Sequence, residues 1–197
     1  MALRPQISGP RVSRRSLLSG AAALTIPGLE TAAAAESAPA GDHMSIKLRV
    51  NGVDHALTIE PQATLAEVLR GPLGLTGTKI SCNRGACSAC TVWLDGAPIP
   101  SCSMLAIEVG AREVTTIEGL AKGDELHPVQ EAFIEHDAMQ CGFCTPGMAM
   151  AAAALLAHNP DPQAADVERA ISGHICRCGT YPHVVAATLA AARARKG

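Results

Sequence analysis

A chain of 197 residues with a formal net charge of -2 and 2% aromatic side chains has room for one or two small domains and little bulky apolar material to hold them together. The mixed charge leaves no electrostatic footprint for nucleic acid, and no apolar run is long enough to predict a retained membrane-spanning helix. Burial must come from Ala, Val, Leu and Ile, so metal clusters that tie distant segments together are a natural supplement, and the chain has 8 cysteines to hold them.

Residues 1–43 read as a targeting and flexible segment. Ser13-Arg14-Arg15-Ser16-Leu17-Leu18 sets paired arginines before a mildly apolar run to Leu29. Small residues from Ala32 to Ala35 then supply the composition of a signal-peptidase site. The pattern resembles a twin-arginine export signal, which carries prefolded, cofactor-loaded cargo and predicts a periplasmic protein. An Ala-rich tail with chance arginines is the plainer alternative. No cysteine lies near the run, so lipid anchoring there is not expected.

Residues 44–118 predict a small α+β domain. Ile46, Leu48 and Val50 alternate with polar residues, Asn51-Gly52 follows, and Val53 to Ile59 forms a second alternating run, which together make a hairpin signal. Thr64 suits a helix N-cap with Glu67 completing a capping box, and Leu65, Val68 and Leu69 give one helical face. Gly71-Pro72 ends it. Thr91 to Leu94 turns at Asp95-Gly96 and returns through Ile99 to Cys102 as a strand, and Val114 to Ile117 adds one more. Two hairpins around a helix suggest a β-grasp, ferredoxin-like domain.

Residues 119–197 predict helices. Pro128 opens one to about Asp137. Thr145-Pro146 reads as an N-cap and first-turn pair for an Ala-rich helix through Leu156. Ala164 to Ile171 is a third, ended by Gly173. Pro182 opens a fourth through Ala192, with Arg193, Arg195 and Lys196 where positive charge is favoured. These would form a four-helix bundle with cysteine-bearing turns. Both cysteine pairs here precede a Pro-initiated helix, a hint of pseudo-twofold construction.

The cysteines fall into two quartets. Cys82, Cys87, Cys90 and Cys102 have the loop spacing of a plant-type [2Fe–2S] site, in a stretch of small residues whose backbone can curl around inorganic sulfide and aim its amides inward. Arg84 either adds charge there or is a solvated loop residue. Cys141, Cys144, Cys176 and Cys178 form the second quartet, placed before two helix N-termini whose free N–H groups favour an anionic group. By spacing alone this second set suits zinc as well as iron. The adjoining ferredoxin-type loop favours iron, because a second redox cluster extends an electron path. Four disulfides fit poorly, since Cys176-Arg177-Cys178 is a poor place for two bridges and a good one for two ligands.

Gly77-Thr78-Lys79, the Cys82 to Cys90 loop, Thr91-Val92, Leu94-Asp95-Gly96 and Ser101-Cys102 resemble the iron–sulfur part of xanthine dehydrogenases, aldehyde oxidoreductases and CO dehydrogenases of the molybdenum hydroxylase family. So do Gln140-Cys141-Gly142-Phe143-Cys144-Thr145-Pro146-Gly147 and Cys176-Arg177-Cys178-Gly179-Thr180-Tyr181. The resemblance covers Met44 to Arg193, and the export signal narrows it toward periplasmic aldehyde oxidoreductases.

It implies two [2Fe–2S] clusters on this chain, with no catalytic residue and no substrate site of its own. A large partner subunit would hold a molybdenum–pterin cofactor that oxidises an aldehyde or N-heterocycle. A flavin (FAD) subunit or a haem partner, a c-type cytochrome, would take the electrons. By position, Gln140 would hydrogen-bond the pterin and Cys178 would bridge its cluster to the pterin amine. Ser81 and Ser88 stand where the family usually has glycine, and Gly179-Thr180 is in the order opposite to a common variant.

A free-standing two-cluster ferredoxin and a zinc- or disulfide-stabilised binding module are the competing classes. The former gives the Gln140 octet no task. His127 reads as a helix-start feature. His174 either hydrogen-bonds toward the second site or is a loop histidine without a role. Met139, Met148 and Met150 read as packing or interface residues, and Trp93 and Tyr181 are candidates for interfaces.

Overall fold

The computed structural model describes residues 42–194. The twin-arginine segment, and with it the expected export signal, lies outside the described residues, as do Arg195 and Lys196.

The first half is built on a mixed five-stranded sheet. β1 (Met44–Val50) and β2 (Val53–Ile59) form the expected hairpin. Asn51 and Gly52 both adopt positive φ, 51° and 79°, as a two-residue turn that matches strand twist requires. Thr64 caps α1 (Leu65–Arg70): its Oγ1 accepts from the Glu67 N–H, and the Glu67 carboxylate accepts from the Thr64 N–H. β3 (Thr91–Leu94) and β4 (Ala97–Pro100) make the second hairpin. β5 (Glu113–Thr115) lies between the hairpins, parallel to β1 and antiparallel to β3, giving the order β2-β1-β5-β3-β4. Leu48, Val50, Val92, Leu94 and Val114 bury one face of the sheet against Leu65, Val68 and Leu69 of α1.

The second half is helical: α2 (Pro128–Glu135), α3 (Thr145–His158), α4 (Ala164–Ile171) and α5 (Tyr181–Ala194). α3 is apolar on every side and buried along most of its length, which makes it the central helix. Phe133, Met148, Met150, Leu156, Ile171, Val184 and Ala187 close a core around it. α3 also packs on β3, where the Trp93 Nε1–H donates to the Met150 carbonyl at 2.9 Å. Trp93 is therefore an internal seam between the sheet and the helices.

Two local expectations need correcting. Cys102 is not on a strand: β4 stops at Pro100, and Cys102 sits in a short 3₁₀ turn, Ser101–Ser103. β4 is the outer strand of the sheet, and Pro98 and Pro100 leave its free edge without N–H donors; the last ladder bond runs from the Ser101 N–H to the Cys90 carbonyl opposite it, and the chain turns there. The helix cap expected at Thr145 lies one residue earlier, on Cys144, which has helical dihedrals and whose carbonyl accepts from the Met148 N–H. Thr145 is then the first helical residue, and its buried hydroxyl has no partner.

Candidate metal centres

The first quartet hangs on the loop between α1 and β3. Cys87, Cys90 and Cys102 are buried, whereas Cys82 is half-buried beside the exposed Asn83 and Arg84. Left-handed residues at Asn83, Gly85 and Ser88 coil the backbone tightly. Amides turn inward as a result: Gly85 N–H donates to Cys102 Sγ at 3.2 Å and Ala86 N–H to Cys82 Sγ at 3.3 Å. The Cys102 N–H points at Cys90 Sγ at 3.5 Å. Gly85 has a φ of 72°, where a side chain is strained, and a first carbon there would lie 2.6 Å from Ser103 Oγ, which would have to rotate away.

This coiling sorts the thiols. The Arg84 amide beside Cys82, with help from the Cys87 thiol, pulls the Cys82 pKa down to about 6 against the effect of burial. Burial, reinforced by the Cys102 sulfur, pushes Cys90 up to about 11. Cys82 thus faces Cys87, and Cys90 faces Cys102.

The second quartet pairs across the sequence. Cys144 faces Cys176, and burial together with that sulfur pushes the Cys144 thiol up to about 12. Burial opposes ionisation of Cys176 too, but the Thr180 hydroxyl, at 3.3 Å from its Sγ, and nearby amides bring it down to about 7. Cys178 faces Cys141, whose amide favours the thiolate while its sulfur disfavours it, with a net rise. The Cys144 side is buried; Cys141 is exposed beside exposed Gln140, Met139 and Phe143.

Each quartet is therefore two facing sulfur pairs. Among the described residues no three His, Cys, Asp or Glu donors converge as a single-ion site. The pairs suit a two-iron cluster, in which each iron takes two protein thiolates and shares bridging sulfides. The inward amides of the first loop suit its negative charge.

The two sites meet directly. Ile175 N–H donates to the Cys87 carbonyl at 3.1 Å. Gly147, at the start of α3, comes so close to the first loop that a side chain there would meet Ser88 O at 2.4 Å. His174 is buried between them. Thr91 donates its hydroxyl proton to Ser88 O at 2.7 Å, so in the 3.2 Å contact of Thr91 Oγ1 with His174 Nε2 the ring must be the donor. Burial lowers the His174 pKa, partly offset by backbone groups of Gly147 and Ile171. Its Nδ1 has no partner in hydrogen-bond geometry.

Sequence reasoning grouped the eight cysteines and Gln140 but missed how they are held. The Tyr181 hydroxyl accepts from Cys176 N–H at 2.8 Å and donates to His174 O at 3.0 Å, clamping the second loop. Tyr181 and Thr180 stand in the Cys176 motif, the signal that would have found them. His127 caps α2 as expected, with Nδ1 accepting from Val129 N–H. Met148 and Met150 are core residues, while Met139 is exposed.

Comparison with known proteins agrees with this division. A 2Fe-2S iron-sulfur cluster binding domain matches residues 48–116, and a [2Fe-2S] binding domain matches residues 116–189. The chain is 44% identical over 148 residues to the nicotine 6-hydroxylase small subunit of Paenarthrobacter nicotinovorans, covering 75% of this chain and 89% of that one. It is 38% identical over 197 residues to the aldehyde oxidoreductase iron-sulfur-binding subunit PaoA of Escherichia coli K12, covering 89% and 86%. Among solved structures, quinoline 2-oxidoreductase from Pseudomonas putida 86 superposes with a TM-score of 0.75 at 42% identity, over 79% of this chain and 98% of the matched one.

Proposed function

The chain belongs to the family of small iron–sulfur subunits of aldehyde oxidoreductases and of nicotine, nicotinate and xanthine dehydrogenases, and from that premise we propose that it is the electron-transfer subunit of a molybdenum hydroxylase. Cys82, Cys87, Cys90 and Cys102 hold one [2Fe–2S] cluster, and Cys141, Cys144, Cys176 and Cys178 hold the other. When bound, these clusters supply reversible one-electron chemistry; the chain supplies their spacing, insulation and charge balance. We read the sheet half, residues 44–118, as a β-grasp domain and the helical half, residues 119–197, as a four-helix bundle.

The observation that carries the reading is the graded exposure of the two sites around one hydrogen bond. The second quartet is open at Cys141 and Gln140 and closed at Cys144. The two loops then meet at Ile175 and Cys87, and the first quartet returns to the surface at Cys82. Such an arrangement suits entry at one surface and exit at another.

Gln140 and Cys178 are the pterin contacts in this reading. The exposed apolar side chains of Met139 and Phe143, which flank Gln140 in the chain, suit burial against a large molybdenum-cofactor subunit. Exit is to a flavin subunit or a c-type cytochrome. Paired Arg14 and Arg15 before the apolar run support export of the folded, loaded protein to the periplasm.

Native purification followed by mass spectrometry of the bound chains tests this. The expected result is a large molybdenum-binding partner plus a flavoprotein or cytochrome. A brown protein that purifies alone from its own host would instead support a free carrier and remove the role given to Gln140.

A further inference from the structure

We propose that the Thr180 hydroxyl raises the reduction potential of the second cluster by donating a hydrogen bond to Cys176 Sγ, on the side of that cluster facing the first. The inference rests on the assignment of the second quartet as a [2Fe–2S] cage.

Thr180 Oγ1 lies 3.3 Å from Cys176 Sγ. A ligating thiolate can only accept, so the hydroxyl is the donor. Thr180 is 7% exposed, and water does not compete for the contact. The first quartet is served differently, by backbone N–H groups of Gly85, Ala86 and Cys102, which no change of side chain removes. Its hydroxyl contact, Ser103 Oγ to Cys102 Sγ, is longer at 3.7 Å, and the Ser101 hydroxyl is committed to the Cys90 carbonyl at 2.7 Å.

In the second quartet the corresponding amide is diverted, because Cys176 N–H donates to the Tyr181 hydroxyl. The amides of Thr180 and Cys178 also approach Cys176, but the hydroxyl is the contact that a substitution can delete.

Reduction adds one electron, and so one unit of negative charge, shared between the cluster and its thiolates; the proton stays on Thr180 Oγ1. A donor held at the sulfur favours the more negative state and raises the potential. Cys176 continues directly into Ile175 and its bond to Cys87, so the tuned ligand stands where the two sites meet. Thr180 therefore sets how an electron is shared between the clusters.

The test is a dithionite redox titration of the cluster-loaded protein followed by electron paramagnetic resonance, with Thr180→Val and Thr180→Ser beside wild type. A Cys82→Ser variant, which alters the first cluster, assigns the two signals. Thr180→Val is expected to cut the reduced-to-oxidised ratio of the second cluster about tenfold at a fixed potential, a shift of about 59 mV for one electron. The first cluster should keep its midpoint, and Thr180→Ser should restore the second.

An unchanged second midpoint in fully loaded Thr180→Val, or an equal shift of both clusters, would overturn the proposal. Should Thr180→Val lose the second cluster, Thr180→Ala reads the same shift. Loss of the cluster in both variants would also overturn it, by assigning Thr180 to cage assembly. A wild-type protein without a second signal would sink the cluster assignment itself, a result distinct from a failure of the Thr180 role.

Discussion

The Ile175 N–H and the Cys87 carbonyl meet at 3.1 Å, which places the backbone beside one cysteine of the second quartet in direct hydrogen-bond contact with a cysteine of the first. The Ile175 side chain is 61% exposed, so the residue matters through its amide. Ile175→Pro removes that donor and should cost about 1 kcal/mol of stability. It should also make the first cluster lag behind the second when electrons enter from the partner, as followed by rapid-freeze spectroscopy. Ile175→Ala keeps the amide and should behave as wild type in both.

Gly147 lets the second site approach the first. A methyl group there would stand 2.4 Å from Ser88 O and 3.1 Å from Ala89 O, both backbone atoms that cannot swing aside. Gly147→Ala should therefore destabilise the loaded protein by about 1–3 kcal/mol, as other overpacked sites do. Thermal unfolding measures it, and an unchanged midpoint would mean that the loops part freely.

Ser88 holds a φ of 57°, a left-handed conformation that costs a non-glycine residue roughly 1–2 kcal/mol. Glycine relieves that strain but adds about 0.4–1 kcal/mol of freedom to the unfolded chain. Ser88→Gly should thus stabilise by about 0.5–1 kcal/mol, a small upward shift of the melting temperature.

The cluster-free thiols should differ sharply in reactivity. Cys82, held near 6 by the Arg84 amide, is mostly thiolate at neutral pH, and its neighbours Asn83 and Arg84 are exposed. Cys90 and Cys144, pushed to about 11 and about 12 by burial, remain protonated there. Brief iodoacetamide treatment of apo protein at pH 7, read by peptide mass spectrometry, should label Cys82 well ahead of Cys90 and Cys144. The advantage of Cys82 should fall as pH drops through 6, because its thiolate is then protonated.

Tyr181→Phe deletes the hydroxyl that joins Cys176 N–H to His174 O. Loss of this clamp should cost about 1–2 kcal/mol and make the second cluster the first to bleach under chelator.

What the sequence disclosed was local. The Asn51-Gly52 turn, the Thr64–Glu67 capping box and the Cys82 to Cys90 loop are written within short windows, and the turn and the cap form as read. What it withheld depends on distant segments. Nothing near Cys144 tells that its sulfur faces Cys176 while Cys141 faces Cys178, because the crossing is set by packing of α3 and α5. The alternating pattern carried the strand on to Cys102, but pairing ends with the Ser101–Cys90 hydrogen bond and the chain turns over Ser101–Ser103. Thr145 looked like a cap by residue type, yet Cys144 already has helical dihedrals and takes the position. His174 shows no partner in its own window, since Thr91 comes from the other half of the fold.

Iron and sulfide analysis of the natively purified protein, joined to electron paramagnetic resonance of its dithionite-reduced form, tests the central claim most directly. Two [2Fe–2S] clusters predict about four iron atoms and about four sulfides per chain, with two distinct signals. A colourless protein, or one whose quartets hold zinc without sulfide, would contradict the account.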